Sequence, residues 1–272
     1  GDTGLRQFGI QESNIVELVR PITKYAVTVT DPKMIRYHLQ KAVFLATTGR
    51  PGPVWLDIPL DIQGQLINME ELVPFNAEET LQKNKNQELS KQVVKCLSML
   101  KEAKRPVLIC GYGIRLSKGE KEFKQLVEKL KIPVISSWTS SDLIPTDHEF
   151  YIGRSGIMGD RAGNFTVQNS DLLLIIGSRM SVPQVGYNYS TFARNAKKIM
   201  VDIDKIELTT PSIKPHLHIK ADAKKFIVSM ISLLEKELIE LSVGDWLQKC
   251  SNWKRKYPVA LLEYKGNKEG VN

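Results

Sequence analysis

The stretch PVLICGYG, residues 106–113, decides the fold. Val107, Leu108, Ile109 and Cys110 form a continuous apolar run opened by a proline and closed by Gly111 and Gly113. A run that is short and shows no polar alternation is the pattern of a strand buried on both faces of a parallel sheet. Moving outward, four further short apolar runs stand at 134–137, 172–177, 198–202 and 217–221. Helical patterns occupy 88–104, 118–131, 161–169 and 222–238. Short apolar strands separated by helices predict an α/β domain built on a doubly wound parallel sheet.

Upstream the pattern restarts on a smaller scale. Residues 12–20 read as a helix and 25–30 as a strand rich in β-branched residues, and Asp31 with Pro32 opens a second helix as N-cap and first residue. Ile35, Leu39, Ala42, Val43 and Ala46 recur there at helical spacing, a stiff turn follows at 49–53, and 54–58 is a second strand. The order αβαβ implies a parallel pair. From residue 68 to about 86 the chain is polar and acidic, as a surface linker is. The expected organisation is therefore 1–65 as one α/β piece, 66–86 as linker, 87–240 as the nucleotide-binding domain and 241–272 as a second linker.

Composition agrees with a folded chain. Its 272 residues are 42% hydrophobic, 25% charged and 7% aromatic, which excludes disordered, collagenous and membrane-spanning classes. The net charge of +8 is scattered, with one tight basic run at Lys254-Arg255-Lys256. That distribution suits an anionic small ligand or solubility better than a nucleic-acid groove, so no nucleic-acid partner is expected. Cys96, Cys110 and Cys250 are odd in number and far apart, against a disulfide framework or a metal site and in keeping with a reducing cytoplasm. No run approaches the ~18 apolar residues of a membrane helix.

In an open parallel sheet, ligands bind beyond the carboxyl ends of the strands, near the point where strand order reverses. The residues after each strand are therefore the candidates. Gly111 and Gly113 would let backbone approach a phosphate or a flat ring, or merely make a tight turn; Leu116 breaks the longer dinucleotide fingerprint. Ser137, Trp138, Thr139 and Ser140 can bond a ribose or ribityl chain or cap a turn. Gly156, Ile157, Met158 and Gly159, followed by Asp160 and Arg161, can admit a ligand against the backbone or form a loop before a helix. Gly177-Ser178-Arg179 brings a guanidinium suited to a pyrophosphate or to a structural salt bridge. Asp202 and Ile203, next to Asp204, and then Asp222 and Ala223, place acids that suit ribose hydroxyls or helix caps. Together these positions describe one nucleotide-shaped site. No catalytic constellation accompanies it: His38, His148, His216 and His218 show no evident partner, and no nucleophile–base arrangement, HExxH or P-loop pattern is present. The residues by themselves name a binding fold and leave open a non-catalytic FAD- or nucleotide-binding module or, on the sheet alone, an NAD-dependent dehydrogenase.

From Arg6 to about Ala223 the order of motifs resembles the acetolactate synthase large-subunit family of thiamine-diphosphate-dependent enzymes. Pro21-Ile22-Thr23-Lys24-Tyr25 with GRPGPVWLDIPLDIQ, 49–63, is similar to the end of that family's pyrimidine-binding domain. PVLICGYG, VQNSDLLLIIGSR at 167–179 and VDIDKIEL at 201–208 are similar to its central domain, a Rossmann-like, DHS-like NAD/FAD-binding fold. The resemblance implies thiamine diphosphate and Mg²⁺ in an intact parent and FAD in the central domain. It would place FAD on Gly111, Gly113, Ser137, Trp138, Thr139, Gly156, Ile157, Met158, Gly159, Gly177, Arg179, Asp202, Ile203, Asp222 and Ala223, in a role of shape and assembly rather than net redox chemistry. It sets Gln11 at the border of the thiamine site and Lys24 near the substrate entrance, in a cytoplasmic enzyme that is at least a dimer, or a tetramer.

Departures from the family pattern narrow the activity. Met180-Ser181-Val182-Pro183 stand where the family continues with two aspartates and a second arginine, Ile157-Met158 replaces a methionine-histidine pair, Ser140 with Asp142 replaces glycines, and Ile10 replaces a phenylalanine. These changes favour a relative that transfers the acyl unit of a 2-oxo acid such as pyruvate to another carbonyl acceptor, such as a keto-sugar in surface polysaccharide synthesis. The activating glutamate and the GDG motif with its distal asparagine are not in this chain; the nearest match, Gly244-Asp245-Trp246, lacks the second glycine. The expectation is a fragment spanning the second half of the pyrimidine domain and the central domain, inactive alone.

Overall fold

The computed structural model describes residues 13–80, 86–209, 213–239 and 241–261. The chain divides into two compact units, residues 1–84 and 85–272.

In the first unit β1 (Tyr25–Thr28) and β2 (Val54–Asp57) pair in parallel, with Tyr25 opposite Val54 and Thr28 opposite Asp57. The crossover is the helix Ile35–Thr47, entered through a single 3-10 turn at Pro32–Met34 whose cap is the Asp31 carboxylate accepting from the Lys33 amide at 2.9 Å. The helix before β1 spans only Ile15–Val19, and 3-10 geometry at Arg20–Ile22, where Pro21 cannot donate into a continuing helix, ends it. Of the helical stripe read from the sequence only Ala42 is buried, while Leu39 and Val43 face outward. Within the stretch read as linker, residues 71–75 lie on this helix. Lys33 pairs with Glu71 at 2.6 Å, Val73 donates to the Lys33 carbonyl, and the Phe75 ring meets Tyr37 and Phe44.

The second unit is a six-stranded, all-parallel sheet: β3 (Pro106–Cys110), β4 (Val134–Ser136), β5 (Tyr151–Arg154), β6 (Leu172–Ile176), β7 (Lys197–Asp202) and β8 (Leu217–Lys220). Their spatial order is β5-β4-β3-β6-β7-β8. Counted within the unit this is 3-2-1-4-5-6, the doubly wound order in which connections leave β3 and β6 in opposite directions. Every residue of β3 and β6 is buried, because helices cover both faces and the apolar side chains of successive residues need somewhere dry to go. The helix Glu120–Leu130 contributes Phe123, Leu126, Val127 and Leu130, and Ala223–Glu237 contributes Phe226, Ile227, Met230 and Leu234.

The sequence reading gave five strands where the structure has six. The strand it missed, β5, is an edge strand of four residues interrupted by Gly153 and ending in Arg154, so it lacks the apolar run that marks the others. Its pairing with β4 carries a register shift between Val134 and Ile135, and Lys254 of the helix Gly244–Lys256 donates to the Tyr151 carbonyl at 2.6 Å. Strand order therefore places the reversal between β3 and β6, with the ends of β4 and β5 beside it.

Candidate functional site

At that reversal the carboxyl ends of β3, β4, β5 and β6 enclose a cavity of about 370 Å³. Its walls come from four successive strand ends: Tyr112 after β3, Ser137, Trp138 and Thr139 after β4, Arg154, Ser155 and Met158 at and after β5, and residues 177–181 with Pro183 and Gln184 after β6. This is the size of a pocket for a small ligand or one ring system of a larger one.

Each wall is fixed from the sequence upward. Gly177 adopts a left-handed backbone, φ +63°, which turns the chain away at the end of β6. Gly111 and Gly113 are required by the same turn. The Gly113 amide donates to the Gly177 carbonyl at 2.9 Å; a Cβ on Gly111 would overlap that carbonyl, and one on Gly113 would lie 2.7 Å from the Gly177 Cα. The close approach these glycines allow is thus between two turns of the protein itself. A Cβ on Gly156 would likewise meet the backbone of Pro183 and Gln184.

After β4, Ser137 and Ser140 form a reciprocal cap around the 3-10 turn Trp138–Ser140, with the Ser140 hydroxyl also donating to the Cys110 carbonyl at 2.7 Å. The hydroxyl of Ser137 is committed to that cap at 2.8 Å, which leaves Trp138 and Thr139 turned to the crevice. After β5, Arg154 is held by Asp160 twice, backbone amide and guanidinium each donating to one carboxylate oxygen at 2.9 and 3.0 Å. Arg179 pairs through Nε with the buried Glu207 carboxylate at 2.7 Å, so the structural salt bridge is realised while the rest of the guanidinium stays exposed. Met180, buried beside it, is a non-glycine residue at φ +51°, a strained geometry of the kind concentrated at ligand sites.

Two properties fit this cavity to a ligand. The first is exposed apolar surface in a concave place: Trp138 is 63%, Met158 60% and Tyr112 44% exposed. The second is unmet hydrogen bonding. Ser155 Oγ and Gln184 Nε2 are buried without a partner among the described residues, and both line the crevice. Glu122 Oε2 and Thr166 Oγ1, also buried and unpartnered, do not line it. Buried polar atoms are seldom left unpaired, so two on residues lining one crevice mark a place where a partner belongs.

Of the positions proposed from sequence, the crevice collects Ser137, Trp138, Thr139, Met158, Gly177 and Arg179. Gly111, Gly113, Gly156, Ile157 and Gly159 shape its turns without lining it. Asp202 and Ile203 follow at the end of β7, where the Asp202 carboxylate accepts from the Asp204 amide at 2.9 Å. Asp222 caps the helix Ala223–Glu237 through the Lys225 amide at 3.1 Å, with Ala223 buried in its first turn. These lie at the same end of the sheet but beyond the cavity. Arg154, Ser155, Ser178 and Gln184 escaped the sequence reading; the first two sit on and after the unrecognised strand, and the last two work through each other.

The remaining candidates that the structure describes have contacts of their own. Lys24 directs its ammonium at the carbonyls of Leu45, Thr48 and Arg50, the last two at 2.8 Å, tying down the end of the helix Ile35–Thr47. Burial depresses its pKa. Gln11 lies outside the described residues. The histidines that showed no partner in sequence each have one: His38 with the Tyr25 hydroxyl at 2.6 Å, His148 with Glu128 at 2.9 Å, His216 with the Lys198 amide and His218 with the Pro215 carbonyl. None lines the crevice. All three cysteines are free and buried, and burial pushes the Cys110 thiol up to about 12, so they are inert packing groups. Among the described residues no helix is long and apolar enough to cross a membrane.

Comparison with known proteins gives this architecture its class. Residues 93–230 match the family described as "Thiamine pyrophosphate enzyme, central domain", and the chain belongs to that family. Its relatives include acetolactate synthases. The chain is 36% identical over 254 residues to "Acetolactate synthase 2, chloroplastic" of Nicotiana tabacum, covering 92% of this chain and 37% of the relative. It is 32% identical over 258 residues to "Probable acetolactate synthase large subunit" of Methanocaldococcus jannaschii, covering 93% and 42%, and 34% identical to "Acetolactate synthase, chloroplastic" of Arabidopsis thaliana. The chain thus spans about two fifths of the length of these relatives.

Proposed function

We propose that this chain is the central, nucleotide-binding region of a thiamine-diphosphate-dependent carboligase resembling acetolactate synthase, with FAD as the ligand of the crevice. The observation that carries the reading is the conjunction, at the strand reversal, of exposed Trp138 and Met158 with the unpartnered donors of Ser155 and Gln184. The family match and the acetolactate synthase relatives support the class.

In this reading the residues divide the work. Trp138, Met158, Pro183 and Tyr112 exclude water and offer flat apolar surface to a ring. Thr139 and the free guanidinium nitrogens of Arg179 bond the polar chain, and Asp202 and Asp222 extend the site across the ends of β7 and β8. Glu207 and Asp160 hold the two guanidiniums in place before any ligand arrives, which lowers the ordering cost of binding. These residues would hold a flavin through its planar rings and its diphosphate, in a role of shape and assembly rather than net redox chemistry. In the intact protein, thiamine diphosphate with Mg²⁺ supplies the electron sink for decarboxylating a 2-oxo acid such as pyruvate. The acyl unit then passes to a carbonyl acceptor; the substitution of Ser181, Val182 and Pro183 for the family's charged segment argues for a keto-sugar in that place. The active unit is at least a homodimer. This chain carries neither a GDG motif with a distal asparagine nor the activating glutamate, and the ammonium of Lys24 is spent on backbone carbonyls, so no turnover is expected of it alone.

Two measurements test the reading. Titration with FAD should quench tryptophan fluorescence through Trp138 and leave flavin absorbance on the desalted protein, and Trp138→Leu should remove most of the quench. A wild-type chain that retains no flavin refutes the cofactor assignment. Incubation with pyruvate, thiamine diphosphate and Mg²⁺ should release no CO₂; release would overturn the expectation that the machinery is divided.

A further inference from the structure

We propose that the helix Gly244–Lys256 buttresses the β5 wall of the crevice, with Lys254 as its positioning residue, so that the seating of this helix and the occupancy of the crevice are thermodynamically linked. The inference rests on the ligand-site reading above and goes beyond it by adding an element that touches no ligand. Within the stretch read as a second linker, this helix is packed into the domain. Trp246 and Cys250 are buried, and Trp246 Nε1 donates to the Pro106 carbonyl at the start of β3 at 3.1 Å. None of the helix residues lines the crevice.

The helix meets both elements that build this wall. The first is β5 itself. An edge strand has no neighbouring strand on one side, and here a helix side chain supplies the missing donor. The Lys254 ammonium donates to the Tyr151 carbonyl of β5 and to the Thr146 carbonyl of the loop before it, each at 2.6 Å, and lies 5.4 Å from the centroid of the Tyr151 ring. An ammonium on a long stem can serve two carbonyls of different segments at once. Arg154, which lines the crevice, stands three residues further along the same strand. The second element is the helix Arg161–Gln168. Its Phe165 ring meets Trp253 and Tyr257 edge-on, at centroid distances of 5.8 and 5.6 Å, and the Arg161 guanidinium lies 5.8 Å from the centroid of the Tyr257 ring. The first turn of that helix fixes the wall. Asp160 at its N-cap holds Arg154 by backbone and side chain, and Asn164 brackets Gly156, accepting from its amide at 2.8 Å and donating to its carbonyl at 3.0 Å. Unseating the helix Gly244–Lys256 would therefore loosen the strand that carries Arg154 and the turn that fixes residues 154–156 together.

Linkage is reciprocal: a seat that orders the wall for a ligand is itself stabilised when the ligand orders the wall. A lysine that only holds the fold together would not sense the ligand. The experiment is hydrogen–deuterium exchange on the full chain, wild type and Lys254→Met, with and without FAD. In the wild type FAD should slow exchange of amides 246–256, although none of those residues lines the crevice. Without ligand, Lys254→Met should speed exchange of amides 151–158 roughly tenfold, the loss of about one hydrogen bond from a charged donor. It should leave residues 227–234 of the helix Ala223–Glu237 unchanged. The same substitution should weaken FAD roughly three- to tenfold and remove its effect on 246–256. FAD binding that leaves 246–256 unaltered in the wild type would overturn the linkage and leave the ligand reading intact, a result that stands even where the variant fails to fold. Exchange that rises equally at 151–158 and 227–234 in Lys254→Met would reduce Lys254 to a general structural contact and overturn its positioning role. If the wild type retains no FAD, the ligand reading fails and the linkage with it, and the ligand-free comparison at 151–158 still decides the buttress.

Discussion

The two units run the same local program, parallel strands joined by a helix, and reach different degrees of burial. In β3 and β6 every residue is enclosed; in β1 all four are half-buried, and in β2 Trp55 is exposed. The difference lies in what covers the faces. Six strands flanked by helices on both sides dry out a continuous core, whereas a two-stranded sheet with one crossover helix has too little surface to do so. The lesson is that an apolar residue in a correct α/β pattern stabilises only as far as the layers around it are complete.

Core truncation gives the largest test of that contrast. Leu108→Ala in β3, where the side chain is fully buried, should cost about 2–5 kcal/mol. Val43→Ala on the exposed face of the first unit's helix should stay within about 0.5 kcal/mol. Chemical denaturation checks both, with Trp55 reporting the first unit and Trp246 the second. Comparable losses would mean that the Val43 face is covered.

The glycines offer a second, somewhat smaller contrast. Gly111→Ala forces a methyl into the Gly177 carbonyl, where backbone stands on both sides and neither can yield; a loss of about 3 kcal/mol is expected. Gly52→Ala in the first unit would meet the Lys24 Cδ at 3.1 Å, a side-chain stem that its ammonium anchors but that can shift by a few tenths of an ångström, and should cost less than about 1 kcal/mol. Thermal melts of the two variants separate these outcomes, and a tolerated Gly111→Ala would refute the interlocked turns.

The same contrast explains what could be read in advance. β3 and β6 were legible because burial on both faces writes itself as an unbroken apolar run. β5 was not, because an edge strand whose Gly153 accommodates the Asp160 carboxylate, and whose last residue is an arginine held by that carboxylate, has no reason to look apolar. With β5 went Arg154 and Ser155, and so one wall of the crevice. The glycines were found for a reason other than the one the structure gives: their place at the strand ends was visible, but that they admit each other's backbone is a long-range fact. Gln184 carries no local signal, since its role depends on Ser178 six residues back and on a loop from another strand.

Below these effects comes Lys24. Its ammonium replaces a side-chain cap at the end of the helix Ile35–Thr47, so Lys24→Met should cost the first unit about 1–2 kcal/mol, the value of hydrogen bonds from a charged donor lowered by its partial exposure. The second unit, followed through Trp246, should not respond.

The smallest expected effect is a pH dependence confined by the same probes. His38 Nδ1 and the Tyr25 hydroxyl share a hydrogen bond 2.6 Å long, with the rings stacked, and Lys41 lies over the Tyr25 ring. Burial, and then the Lys41 ammonium, hold the imidazole pKa below its ordinary value. The folded unit therefore resists the proton that the unfolded chain takes up at about pH 6.5. As the pH falls below that value the unfolded state binds more protons than the folded one, and stability declines until the folded ring titrates too. Followed through Trp55, the first unit should weaken between pH 7.5 and 5.5, and His38→Gln should flatten the slope. His216 in the second unit is depressed in the same direction by burial and then by Lys198 and Lys197, so a whole-chain melt would mix the two and only a unit-resolved measurement decides. Equal slopes for the wild type and His38→Gln at Trp55 would remove His38 as the source.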